Sequence, residues 1–179
     1  MKVEAPAYEP EQVEFCQARP VCVDGEWTLV RNFAKALNTD GFIHHTLTSE
    51  QRMVHLRAVG LCGLSMAAGV PVLQAFYKAL VASGKTGKFD DAVLGNRSHQ
   101  YKLQVAAGHL ARARPIVVDT RVSFFKAFGI TPEHQVIMET VINADYSRFA
   151  SDIESLCVDR SLGCTVSQRY TPEHTLNIH

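Results

Sequence analysis

The sequence predicts a mainly α-helical chain with one short β-strand, and three observations carry that expectation. Between residues 49 and 83, apolar and small residues recur at helical spacing on both sides of a Gly69 and Pro71 break. Thr131 followed by Pro132 has the form of a second helix start, a capping side chain with proline at the first helical position. Only residues 116–124 are rich in β-branched side chains with period-two alternation, the pattern of a strand. A length of 179 residues suits one compact domain with docked extensions. We read an extended N-terminal arm over 1–26, a single helical domain over 27–158 and a C-terminal extension over 159–179.

Taken in order, the first 26 residues carry prolines and mixed charge, with one short strand at 21–23. A helix is expected over 27–37, stopped by Asn38-Thr39-Asp40-Gly41. Thr48 with Gln51 three residues later forms a capping box that starts the next helix, whose Met53, Leu56, Gly60, Leu64 and Ala67 share one face. Gly69 ends it and Pro71 opens a third helix to residue 83, with Val72, Leu73, Phe76, Tyr77 and Leu80 turned inward. A Gly-Lys loop over 83–88 leads to helical material over 90–113, ended by Arg114-Pro115. In the strand that follows, Val117, Asp119, Arg121 and Ser123 share one face. After Gly129, a last helix capped by Thr131 runs to about residue 156 and carries Ile137, Val141 and Ala144 as one apolar set.

Charge cancels in sum and not along the chain. Residues 51–128 hold 11 Lys and Arg against 3 Asp and Glu, residues 1–50 hold 4 against 8, and residues 129–179 hold 3 against 7. A cationic middle with interleaved aromatic residues suits a polyanion, because neutralising phosphates releases condensed counterions. Acidic flanks that fold back and pair with that middle are the plainer reading, and an anionic small-molecule site a third.

The search for catalytic chemistry is mostly negative. Gly84-Lys85-Thr86 ends like a phosphate-binding loop, but Ala79 stands where the first glycine belongs and a helix precedes it. His44-His45 lacks a partner at helical spacing. Cys157, Cys164, His174 and His179 have histidine spacing that suits zinc and cysteine spacing too wide for it, so no metal is expected. Five cysteines, no signal-peptide pattern and no apolar run of bilayer length lead us to expect a cytoplasmic chain with reduced thiols and no membrane or cofactor.

Two patterns point to DNA. Over 49–83 a helix, tight turn and helix follow the order of a helix-turn-helix, with Gln74, Lys78, Lys85 and Lys88 exposed; a plain helical hairpin of the core fits as well. The segment LQAFYKALVASGKTGK within 56–103 resembles the C subunit of the flagellar master activator and relatives that switch on transfer genes of conjugative plasmids and integrating elements. That family ends in a four-cysteine zinc module, whereas only Cys157 and Cys164 stand in the corresponding region here, so its metal site is not carried over. Residues 114–149 resemble a ribbon-helix-helix, which implies that Val117, Asp119, Arg121 and Ser123 face the major groove and that Thr131 caps a phosphate-binding helix. An internal strand with Asp119 and Arg121 merely solvated is the competing reading.

The sequence thus leads us to expect a helix-turn-helix or ribbon-helix-helix homodimer that regulates transcription on double-stranded DNA, without catalytic activity. Lys78, Arg97, Lys102, Arg112, Arg114 and Lys126 would contact phosphates. The alternative is an interaction or inhibitor protein with a basic docking face.

Overall fold

A computed structural model describes residues 6–40, 47–87 and 112–144. A short 3-10 turn at Pro10–Gln12 leads into a two-stranded antiparallel sheet, β1 (Ala18–Val23) and β2 (Glu26–Arg31), in which Val23 pairs with Glu26 and Ala18 with Arg31. Asp24 and Gly25 close the hairpin, both at positive φ (51° and 85°), which is the backbone a two-residue turn between right-twisted strands requires. Val21, Val23 and Val30 face the core while Trp27 and Leu29 stay exposed on the opposite face.

The extended arm and the helix at 27–37 are therefore corrected: β1 lies in the core, the hairpin straddles the expected boundary at residue 26, and the helix begins only at Phe33. Asn32 caps that helix, α1 (Phe33–Thr39), by accepting from the Lys35 amide.

Helix α2 (Ser49–Met66) starts on the Thr48–Gln51 capping box, with both reciprocal bonds formed. Helix α3 (Leu73–Ser83) packs antiparallel to it so closely that glycine is needed at two contacts. A Cβ at Gly63 would lie 2.1 Å from the Tyr77 ring, and one at Gly60 would lie 2.8 Å from Val81. Between the helices Gly69 takes φ 81°, and Val72 takes φ 65° and ψ −54° with the Leu73 amide donating to the Pro71 carbonyl. This is a γ-turn of the strained kind, held by complete burial of Val72.

Residues 112–117 form a strap without regular secondary structure, bonded at Arg114 to Gln74 in the first turn of α3, and lead to α4 (Val118–Phe128). The strand expected at 116–124 is thus a helix. Thr120, Ser123, Phe124 and Ala127 are buried at helical spacing, Asp119 and Lys126 sit at the ends that suit the helix dipole, and Gly129 closes it in the left-handed conformation. A ribbon needs a strand at that place, so the ribbon-helix-helix fold is ruled out; the only sheet among the described residues is the hairpin.

Residues 132–144 form α5, and Thr131 caps it by accepting from the His134 amide. Ile137 and Val141 lie exposed, while Met138 and Ile142 pack on the core. The core joins both strands and all five helices around Phe76, Leu80 and an aromatic trio, with Phe33 5.7 Å from both Phe124 and Phe128. No helix is long and apolar enough to cross a membrane among the described residues. His44-His45, Lys88, Arg97, Lys102, most of the expected helix at 90–113, the chain past 144 with Cys157, Cys164, His174 and His179, and the extension at 159–179 lie outside the described residues.

Candidate functional site

The cations of the chain divide into two sets with different partners. On α4, the side chains expected to read bases are turned to internal work. Arg121 forms a two-pronged ion pair with Glu139 on α5, at 3.0 and 2.9 Å, and the two side chains are only 17% and 16% exposed. Glu139 also accepts from the Val72 amide at 3.0 Å, so the pair fastens α4 and α5 to the strained turn before α3. Gln135, wholly buried, donates to the carbonyls of Arg121 and Ile130.

Ser123 is buried, donates to Glu11 at 2.9 Å and accepts from the Cys22 amide at 2.9 Å, while Thr120 accepts from the Asp24 amide at 3.2 Å. The open edge of β1 thus finds its acceptors on the α4 hydroxyls, where a third strand would otherwise supply them. Lys126 pairs with Glu9 at 3.3 Å. Asp119 and Val117 are exposed in the first turn and N-cap of α4. Asp119, Ser123 and Lys126 do come together, with Glu11, Cys22 and Trp27, around an open cavity of about 220 Å³.

At the other end of α2 and α3, Tyr77 donates to Asp40 at 2.7 Å, and Asp40 also holds Arg31 at 2.9 Å. Burial first, and then the hydrogen bond to Asp40 and its negative charge, push the Tyr77 phenol far above its ordinary value. Burial, with a smaller contribution from Asp40, likewise raises the Cys62 thiol. Both groups stay protonated at neutral pH and neither is an activated nucleophile.

The second set of cations has no carboxylate partner among the described residues. Gln74, expected to read a base, is buried: its carbonyl accepts from the amides of Gly69 (2.7 Å) and Arg114 (2.8 Å), and its NH2 donates to the Arg114 carbonyl at 2.9 Å. It is a clamp that ties the strap to α3. The helical pair over 49–83 is consequently a hairpin of the core, and no base-reading face is left on it. What remains exposed on α3 is Lys78 and Ala82, with Lys85 just past its end; Arg112 and Arg114 are exposed on the strap. Lys78, Lys85, Arg112 and Arg114 form no ion pair among the described residues, where the remaining ion pairs join Arg19 to Glu14 and Arg31 to Asp40. Arg57 donates to the Val81 carbonyl at 3.1 Å and so closes the C-terminal end of α3.

Among the described residues, no three His, Cys, Asp or Glu side chains are grouped so that they could hold a metal ion.

A family model described as viral RNA dependent RNA polymerase matches residues 1–147. The RNA-directed RNA polymerase of Panicum mosaic virus is 35% identical over 140 residues, which cover 76% of this chain and 14% of that protein. The polymerase of Turnip crinkle virus is 35% identical over 144 residues (76% and 18%), and that of Carnation mottle virus 30% over 162 residues (89% and 20%). This chain therefore spans between about one-seventh and one-fifth of the length of these relatives. No solved structure matches it.

These matches overturn the expected transcriptional regulator of plasmids and integrating elements, its double-stranded DNA partner and the inhibitor-type alternative. The expectation of a chain without catalytic activity is overturned by the same matches, which are to polymerases. The leucine-rich hairpin that carried the earlier resemblance is core packing around Gly60 and Gly63, a pattern that unrelated helical proteins share. With 147 consecutive residues matched, the chain belongs to the viral RNA-dependent RNA polymerase family.

Proposed function

We infer that this chain serves RNA-directed RNA synthesis, the extension of an RNA strand on an RNA template. The observation that carries the reading is the family match across residues 1–147, joined by relatives whose names state that activity. Polymerases transfer nucleotides with two metal ions that clamp the attacking and leaving oxygens, and such a pair needs clustered carboxylates. The described residues do not fit it: Glu139 is committed to Arg121, Glu11 to Ser123, and Asp40 to Tyr77 and Arg31. Their role in this reading is a rigid support, locked by those polar contacts, that offers a basic face to the nucleic acid.

The test is a chimera in which this chain replaces the matching 140 residues of the Panicum mosaic virus polymerase. RNA-templated incorporation of labelled nucleotides should exceed that of the polymerase lacking the segment. Incorporation equal to that control, in a chimera whose circular dichroism shows the helices formed, would contradict the reading.

A further inference from the structure

We propose that Lys78 of α3 and Lys85 just past its end, with Arg112 and Arg114 of the strap, form a ridge that holds the sugar-phosphate backbone of single-stranded RNA. The proposal rests on the polymerase reading above and names the part of the chain that meets the RNA. Three observations carry it.

The first is segregation of charge. The paired carboxylates, Glu9 and Glu14 ahead of β1, Asp40 at the end of α1 and Glu139 on α5, neutralise Lys126, Arg19, Arg31 and Arg121. The helical hairpin over 47–87 has Arg52, Arg57, Lys78 and Lys85 against Glu50 alone. Among the described residues these cations form no ion pair, and an anion is a natural counterpart for them.

The second is the narrowness of the exposed strip. From Leu73 to Leu80 every residue of α3 except Lys78 is buried, and beyond it only Ala82 is exposed before the helix ends. Lys78 and Ala82 lie one turn apart on one face of an otherwise buried helix, and Lys85 follows just past its end. A buried helix has no packing use for a lysine there.

The third is the clamp. Gln74 lies one turn before Lys78 on that same strip, and its side chain bonds both backbone groups of Arg114. The strap thus covers the strip where Gln74 is buried and continues it with its own cations. Helical rise sets about 6 Å between Gln74 and Lys78. Because the clamp and the core fix both sides, the cations are presented on rigid elements, which lowers the ordering cost of binding.

The test uses the full 179-residue chain and a fluorescent single-stranded RNA, with affinity measured across salt concentration. Alanine at all four positions (K78A, K85A, R112A, R114A) should weaken binding at least about tenfold at 50 mM salt. It should also lower the salt slope by about 3, four contacts at roughly 0.7 each. The charge-retaining set K78R, K85R, R112K and R114K should keep affinity within about threefold, and Lys126→Ala, a cation paired with Glu9, should change it by less than about twofold. Circular dichroism confirms that each variant is folded.

An unchanged affinity and slope in the alanine set would overturn the ridge and leave the polymerase reading standing, whereas failure of the chimera would remove the reading itself. No binding of RNA by the parent chain at low salt would overturn the ridge. Retained RNA binding, with loss of contact between this chain and the rest of the polymerase, would assign the face to a protein partner and overturn it as well.

Discussion

Arg121→Ala separates a base-reading arginine from a structural one. Its guanidinium gives Glu139 two bonds near 3 Å and Gln135 a longer one at 3.4 Å, and both members of the ion pair are about five-sixths buried. Truncation leaves Glu139 beneath the surface with only the Val72 amide as donor. Breaking a fully buried pair costs about 3–5 kcal/mol, and an exposed pair well under 1. At this burial we expect about 3 kcal/mol, which for a chain of this size lowers Tm by roughly 6–12 °C. Urea unfolding followed by circular dichroism measures it. A double-mutant cycle with Glu139→Ala should return a coupling of about 1.5–3 kcal/mol. RNA affinity should move less than about twofold. A stability change below about 0.5 kcal/mol, or a vanishing coupling, would refute the internal role of this pair.

Gly63→Ala forces a Cβ to 2.1 Å from the Tyr77 ring and should destabilise by about 2–3 kcal/mol in the same assay, more than an ordinary helix position, where alanine is favoured. Gln74→Ala strands the Gly69 amide and both backbone groups of Arg114; about 2–4 kcal/mol should be lost, and hydrogen exchange at Gly69 and Arg114 should accelerate more than at Phe124. The raised Tyr77 phenol makes the folded state retain its proton where an unfolded tyrosine, with its ordinary value of 10, releases it. Stability from this group is complete below pH 10 and is lost as pH rises beyond it, so Tyr77→Phe should flatten the alkaline fall in stability; equal curves for the two proteins would contradict the assignment.

The helical hairpin was legible in the sequence because its signals are local. Thr48 and Gln51 cap each other within one turn, and Val72, Leu73, Phe76, Tyr77 and Leu80 mark a face by apolar character alone. The first hairpin is equally local, since Asp24-Gly25 between alternating residues is a strong turn signal, while Trp27, Leu29 and Val30 also fit the apolar pattern of a helix start. Helix α4 was misread for a different reason. Two of its four buried positions are Thr120 and Ser123, which are inside because the Cys22 and Asp24 amides need acceptors. A hydrophobic pattern cannot register a hydroxyl buried for a hydrogen bond, and the valines left over alternate as in a strand.

The charge pattern was half legible. The excess of cations between residues 51 and 128 is visible by counting, but which of them are neutralised depends on long-range neighbours: Glu139 reaches Arg121 and Glu9 reaches Lys126, while among the described residues Lys78 forms no ion pair. Gln74 illustrates the same limit. Its spacing with Lys78 suggested an exposed face, and only the strap, forty residues later, buries it.

The central claim is that α3 and its strap are the face that meets RNA while α4 and α5 are internal supports. Photo-crosslinking of the chain to a uridine-rich RNA carrying 4-thiouridine, with the attachment points read by mass spectrometry, tests it most directly. Crosslinks should concentrate in residues 73–87 and 112–115 and disappear with the four-alanine set. Crosslinks confined to residues 118–144, or unaffected by those substitutions, would contradict it.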